Sequence, residues 1–257
     1  MKNKYIILIV MFFVFGQIFS QKQDKMFNAE GENAIYKKEW AIGMRFHTNA
    51  LSVFFEHVWI KDIKKRKLIQ VGLFSSIDYR HKKTKSIIPR FIQDTRATKY
   101  HYGKQNDFIS LQLMYGWRRV IANKSEVSGV KLALTYMLGV NLGALKPYYL
   151  RIDNYNDSGI ITNERYNEET AIVFLDKNKI VGESDFGKGF DKLSFTPGLS
   201  AKIGLNFDFA RKNNFITSLE IGSQLDVFYK KLNIYINEEN KPYILNLYLS
   251  MQFGVRN

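Results

Sequence analysis

The sequence predicts an all-β fold: a transmembrane up-and-down antiparallel β-barrel of eight strands that follows a cleaved signal peptide. Three observations carry this expectation. Apolar and polar residues alternate in eight segments, the period of a strand with two unlike faces. Several of those segments reach ten residues or more, the length of a tilted bilayer span and beyond that of most soluble strands. Aromatic residues also gather at both ends of the apolar faces, where a barrel meets the two membrane interfaces.

Composition narrows the alternatives. At 257 residues the chain could hold one large β domain or two small ones. A mean hydropathy of -0.24 with 24% charged residues argues against a polytopic helical membrane protein, and 15% aromatic residues argue against disorder. With no cysteine there is no disulfide scaffold, thiolate metal site, Cys nucleophile or lipid-modified Cys.

Residues 1–20 read as the signal peptide: Lys2 and Lys4 form a positive start, Tyr5 to Phe15 is an unbroken apolar run, and small Ser20 precedes the cut. Its removal lowers the formal charge from +14 to +12, since Lys2 and Lys4 leave with it. Export also argues against nucleic acid as the partner of this basic chain. Residues 21–37 are then a periplasmic N-terminal segment, and 38–257 the barrel, with long outer loops at 81–107 and 151–193.

The strands follow in order. In Lys38–His47, Trp40, Ile42, Met44 and Phe46 share the apolar face. Leu51–Ile60 is the poorest: placing Leu51, Val53, Phe55 and Trp59 on that face carries His57 along, and the opposite register would carry Glu56. The first register is preferred, because a neutral imidazole costs less in lipid than a carboxylate. Leu68–Arg80 presents Ile69, Val71, Leu73, Ile77 and Tyr79, and Phe108–Arg119 presents Ile109, Leu111, Leu113, Tyr115 and Trp117. Ser128–Gly143 presents Val130, Leu132, Leu134, Tyr136, Leu138 and Val140. Phe195–Phe209, Leu219–Val227 and Tyr243–Gly254 repeat the pattern.

Alternation by itself does not say which face is inside. Connection lengths favour the lipid-facing reading: they alternate between short and long, and with a periplasmic N-terminus all the long ones except the first fall on the outer side. The periplasmic end of the apolar band then collects Trp40, Tyr115, Trp117, Phe207, Phe209 and Phe253, and the outer end Phe46, Tyr79, Tyr229 and Tyr243. The apolar face is therefore expected to meet lipid.

The segments Leu142-Gly143-Ala144-Leu145-Lys146-Pro147-Tyr148-Tyr149 and Phe195-Thr196-Pro197-Gly198-Leu199-Ser200-Ala201-Lys202, with the signal peptide and the eight strands, resemble the small outer-membrane β-barrel proteins of Bacteroidota. The resemblance covers nearly the whole mature chain, and its motifs are structural. It implies a cell outer membrane location and this fold, and little about activity. Such barrels usually end near an aromatic residue, whereas Gly254 to Asn257 follow Phe253 here.

An eight-stranded barrel has an interior just wide enough for side chains. The inward set holds Glu39, Arg45, Glu56, Asp78, Arg80, Arg118, Lys131, Lys202, Asp208, Glu220 and Asp226. These charges are expected to pair, because an unpaired one would cost several kcal/mol. A plugged, ion-paired core is expected rather than a channel.

Sites are sparse. His47, His81 and His101 fall on the outer side near Ser75, Ser76, Asp78 and Asp107, but no spacing motif joins them into a Ser-His-Asp arrangement. Asp153 to Gly159 alternates oxygen-bearing side chains with a glycine, a faint calcium-loop pattern read as a turn. No catalytic residue, cofactor or metal is expected. The basic stretch from Lys82 to Lys99 suits lipopolysaccharide phosphates or an acidic protein, and Lys61 to Lys67 is read as a basic periplasmic turn beside lipid headgroups. Thr170 to Leu175 and Lys179 to Gly182 read as a short hairpin. The expectation is a non-enzymatic barrel, a structural or accessory subunit of a larger outer-membrane complex. Its loops would bind lipopolysaccharide or other envelope proteins. The alternatives are a rim-site lipid deacylase or protease, and a small pore or uptake protein.

Overall fold

The computed structural model describes residues 36–60, 64–77, 83–84, 99–122, 130–153, 161–210, 214–236 and 240–257. The signal peptide, nearly all of the N-terminal segment, Asp78 to Lys82 and most of the basic second loop lie outside the described residues.

Eight strands close into an antiparallel barrel: β1 (Lys38–His47), β2 (Ala50–Ile60), β3 (Lys65–Ser76), β4 (Asn106–Ala122), β5 (Lys131–Pro147), β9 (Ser194–Asp208), β10 (Phe215–Phe228) and β11 (Tyr243–Arg256). Every neighbour in the ring is the next barrel strand along the chain, and β1 closes on β11 with Ile42 opposite Phe253. Three shorter strands, β6 (Tyr149–Asp153), β7 (Ile161–Arg165) and β8 (Ile180–Glu183), form a separate sheet in the order β7-β6-β8.

The period-two reading holds strand by strand. Trp40, Ile42, Met44 and Phe46 are exposed while Glu39, Ala41, Arg45 and His47 are buried. Leu111, Leu113, Leu138, Val140, Leu199, Ile221, Leu247 and Met251 likewise face out. Charged and amide groups inside with branched apolar groups outside is the reverse of a soluble barrel, and it is the arrangement a bilayer stabilises. His57 does lie on the outward face and is nevertheless buried, because its ring is flanked by Trp40 at 3.8 Å and Trp59 at 4.4 Å between centroids. The two indoles cover the imidazole and shield it from lipid, while its Nδ1 is left buried without a hydrogen-bond partner.

Strand ends differ from the expectation. β3 begins at Lys65, so Lys65 to Lys67 belong to the wall and not to a turn; Arg66 points into the lumen, where it pairs with Glu39. β11 runs on through Arg256, whose guanidinium donates to Glu39 at 2.8 Å and also pairs with Asp208. Waiting carboxylates inside the barrel thus draw in terminal bases that alternation of apolar residues does not reveal.

Inside, the side chains are layered. Two apolar layers, one of Val58, Leu68, Met114 and Met137 and one of Ala50, Phe74, Phe108, Phe228 and Leu232, fill parts of the lumen. The second lies at the end that carries the long connections, the loop end. The charges occupy the rest. Arg118 donates to Glu56 at 2.9 Å and stands 3.8 Å from Glu220, which also holds Lys202 at 3.3 Å and accepts from the Tyr248 hydroxyl at 2.9 Å. Among the described residues three members, Lys131, Arg45 and Asp226, stand in no ion pair. Arg45 donates to Gln224 and Gln70 and stacks on the rings of Phe54 and Tyr248, while Asp226 accepts from Ser200, Gln224 and Asn141. Amides, a hydroxyl and aromatic faces surround Arg45 and Asp226 in place of an opposite charge, and Arg45 Nε keeps no hydrogen-bond partner. Gly204 and Gly222 face each other across β9 and β10, and a side chain on Gly222 would meet the Tyr248 hydroxyl at 2.6 Å and the Ile203 carbonyl oxygen at 2.2 Å. Their lack of a side chain is the slot that admits Tyr248.

Candidate functional site

The residues that leave the loop end do not hang free but fold into a cap. β6 emerges one residue after β5 ends, and its alternate residues Leu150 and Ile152 are fully buried. They pack with Tyr148, Ile180 of β8, Phe174 and Tyr100 into an apolar core separate from the barrel interior. Tyr102, Tyr166, Val173, Leu175 and Ile236 close around it. The expected hairpin over 170–175 and 179–182 is not formed. Ala171–Phe174 is instead one helical turn, α1, and β8 pairs with β6. The local cause is Asn167, whose side chain accepts from the Thr170 amide and so turns the chain before α1.

Three connections of the loop end meet in this cap. Thr84 bridges Tyr100 within the second loop, and Lys104 bridges Tyr235 of the β10–β11 connection. The Gln105 amide donates to the Ile234 carbonyl at 2.8 Å, the Ile236 amide to Gly103 at 2.9 Å and the Tyr148 amide to Gln105 at 3.0 Å. Side chains add further links: the Tyr102 hydroxyl donates to the Leu175 carbonyl at 3.0 Å, and Lys83 pairs with Glu183 at 2.9 Å. Burial raises the Tyr148 phenol above its ordinary range, opposed by an amide bond from His101 and reinforced by the neighbouring Glu183, to which its hydroxyl donates at 3.2 Å. Burial raises Tyr100 in the same direction. Both phenols therefore stay protonated and hold the cap as neutral groups.

The histidines are dispersed by the fold. His47 lies inside the lumen beside Ser52, with 3.0 Å between Nε2 and Oγ, and its ring meets Phe74 and Tyr248. It lies at the loop end of β1 but points into the lumen, and no carboxylate hydrogen-bonds to its other nitrogen, which is buried without a partner. His101 sits in the cap against Tyr148, and His81 lies outside the described residues. Ser75 faces outward on β3, and Asp107 pairs with Lys104 and Lys146. The structure therefore does not bring His47, His101, Ser75 and Asp107 together. Of the calcium-like run only Asp153 is described, and its amide donates to the Lys179 carbonyl at the edge of the cap sheet. Among the described residues no group of three or more His, Asp and Glu is placed to hold a metal ion.

No family model and no curated protein sequence matches the chain. Among solved structures it is similar to Ail, the attachment invasion locus protein of Yersinia pestis, at 10% identity and a TM-score of 0.40, over 87% of this chain and 100% of Ail. It is similar to neisserial surface protein A (NspA) at 11% identity and a TM-score of 0.40, over 86% of this chain and 97% of the other. The N-terminal β-barrel domain of Pseudomonas aeruginosa OprF gives 8% identity and a TM-score of 0.36, over 89% and 100%. At these identities the likeness concerns the fold alone.

Proposed function

We propose that this chain is a non-enzymatic barrel of the cell outer membrane whose outer cap is a recognition surface, acting as a structural or accessory subunit of a larger envelope complex. The observation that carries the reading is the cap itself: a three-stranded sheet with its own apolar core, pinned by hydrogen bonds to two other outer connections. Ordered loops on a rigid scaffold are where binding residues concentrate, and ordering this many residues costs entropy that a mere linker would not incur. The lumen supports the same reading. Stacked apolar and ion-paired layers fill it, so the barrel works as a platform and not as a conduit.

The test replaces residues 154–187 with a short turn and purifies the protein from gently solubilised outer membranes. The shortened chain is expected to keep heat-modifiable migration in detergent gels, the sign of a closed barrel, and to lose the envelope proteins that co-purify with the intact chain. Unchanged partners would refute the assignment of recognition to the cap. Ion conductance of the intact chain in planar bilayers would refute the filled lumen and favour the pore.

A further inference from the structure

The segment 184–192, between β8 and β9, does not join the cap core. It turns down along the outside of the barrel wall. The marker is Lys146, near the end of β5. Its strand neighbour Leu145 packs in the lumen, so Lys146 points outward by alternation, opposite Asp107 of β4. The Lys146 ammonium lies 3.1 Å from Asp107 and donates to the Phe186 carbonyl oxygen at 2.9 Å. It also sits 4.2 Å from the centre of the Phe186 ring and 5.2 Å from that of Phe190. The two rings meet edge to face at 5.6 Å and cover the lysine, which is only 3% exposed. Gly189 makes the close approach possible. It adopts a left-handed φ of 92°, and a side chain there would meet the Pro147 carbonyl oxygen at 2.8 Å.

The rings themselves are not covered: Phe186 is 69% exposed and Phe190 46%. Their height on the wall follows from the register. Ala144 is opposite Phe195, an outward aromatic 57% exposed, and Lys146 is two residues further up, or roughly 7 Å at the rise of a strand. The pair therefore sits just above the outer end of the lipid-facing band, on the ring that Phe46, Tyr229, Tyr243 and Phe195 already mark. Lys188 and Lys192 flank it and are exposed. Aromatic rings with cations above them are the chemistry of an interface between acyl chains and phosphates.

We propose that residues 184–192 form an in-plane foot, with Phe186 and Phe190 seated at the hydrocarbon boundary of the outer leaflet, holding the cap at a fixed tilt to the membrane. This rests on the membrane-barrel reading. The lipid is identified as occupant by position on the wall: Leu199 and Phe195 of β9 are exposed apolar groups beside β5, and the two rings are exposed above them at the end of the same strand pair.

The chain has no cysteine, so Phe186→Cys or Phe190→Cys supplies a single thiol for a nitroxide label. Leu111→Cys on the wall and Ile172→Cys on α1, 86% exposed, give the lipid and water references. Each labelled full chain is refolded into phosphatidylcholine and phosphatidylglycerol vesicles, with and without lipopolysaccharide. Collision with dissolved oxygen and with a water-soluble nickel chelate is then measured. Labels at 186 and 190 are expected to meet oxygen more and nickel less than the label at 172, in both kinds of vesicle. Nickel accessibility equal to that at 172 would overturn the foot. Protection seen only with lipopolysaccharide would also overturn it, by assigning the rings to the saccharide layer. A water-accessible label at 111 would instead sink the membrane barrel, so the two failures are distinguishable.

Discussion

Replacing Glu220 with glutamine removes one charge from the middle of the lumen while keeping its shape. The carboxylate lies 3.3 Å from the Lys202 ammonium and 3.8 Å from the Arg118 guanidinium. At an effective dielectric constant of about 20 these distances correspond to roughly 5 and 4 kcal/mol of gross attraction, most of it offset by desolvation of the ions. What decides the net effect is the state of the partners left behind. Arg118 keeps Glu56 at 2.9 Å, but Lys202 is left beside Arg45 with no carboxylate within 4 Å, held by neutral groups: the Gln70 side-chain oxygen at 3.2 Å, the new amide, and the faces of Phe54 and Tyr248. A buried ammonium stripped of its counter-ion should cost about 3–5 kcal/mol. The measurement is urea unfolding of the chain refolded into vesicles, followed by tryptophan fluorescence and heat-modifiable migration. The double variant Glu220→Gln/Lys202→Met should recover most of the loss, because it removes the orphaned charge. A single-variant cost below about 1 kcal/mol, the value for a water-screened pair, would show a hydrated lumen and refute the reasoning behind a filled interior.

The remaining predictions address the wall, the lumen slot and the cap. Leu111→Arg puts a charge on the lipid-facing side, 49% exposed, and should cost about 2–4 kcal/mol with a matching drop in folded yield, while Gln112→Arg, pointing inward at 3% exposure, should act through crowding of Asp226 and Gln224; intact assembly of the first would reverse the register. Gly222→Ala places a carbon against the Tyr248 hydroxyl and should destabilise by about 1–3 kcal/mol in the same unfolding assay, whereas Gly187→Ala, where a side chain meets nothing within 4 Å, should be neutral. The cap should loosen in alkali. Tyr100 and Tyr148 are raised by burial, so the unfolded phenols ionise first, near pH 10, and the stability these groups contribute is present below that pH and lost above it. Hydrogen exchange of β6 and β8 should therefore accelerate above about pH 10 while the barrel strands stay protected, and Tyr148→Phe should weaken that dependence. Flat protection across that range would mean that burial does not hold the phenols protonated.

Much of the barrel was legible in the residues one strand at a time. Alternation is local: whether Ile42 and Arg45 fall on opposite faces depends only on their spacing, so strand number, facing and the belts at Trp40 and Tyr243 could be read before any fold was known. Period-two spacing also sets His57 on the outward face, though its covering by Trp40 and Trp59 appears only when β1 and β2 pair. What sequence left open is what long-range contact decides. Arg66 and Arg256 look like terminal charges until the closed barrel brings Glu39 and Asp208 within reach of them. Alternation likewise could not say that Asp226 would be satisfied by Ser200 and amides rather than by a base. The cap was illegible for the same reason. Leu150, Phe174 and Ile180 lie too far apart in sequence for any periodic signal, and the helical turn at Ala171–Phe174 exists because Tyr100 and Ile236, from other loops, complete the core it packs against. Strand facing is written into neighbours two residues apart, whereas a core assembled from three loops is stable only once all three are present, and tertiary structure alone brings them together.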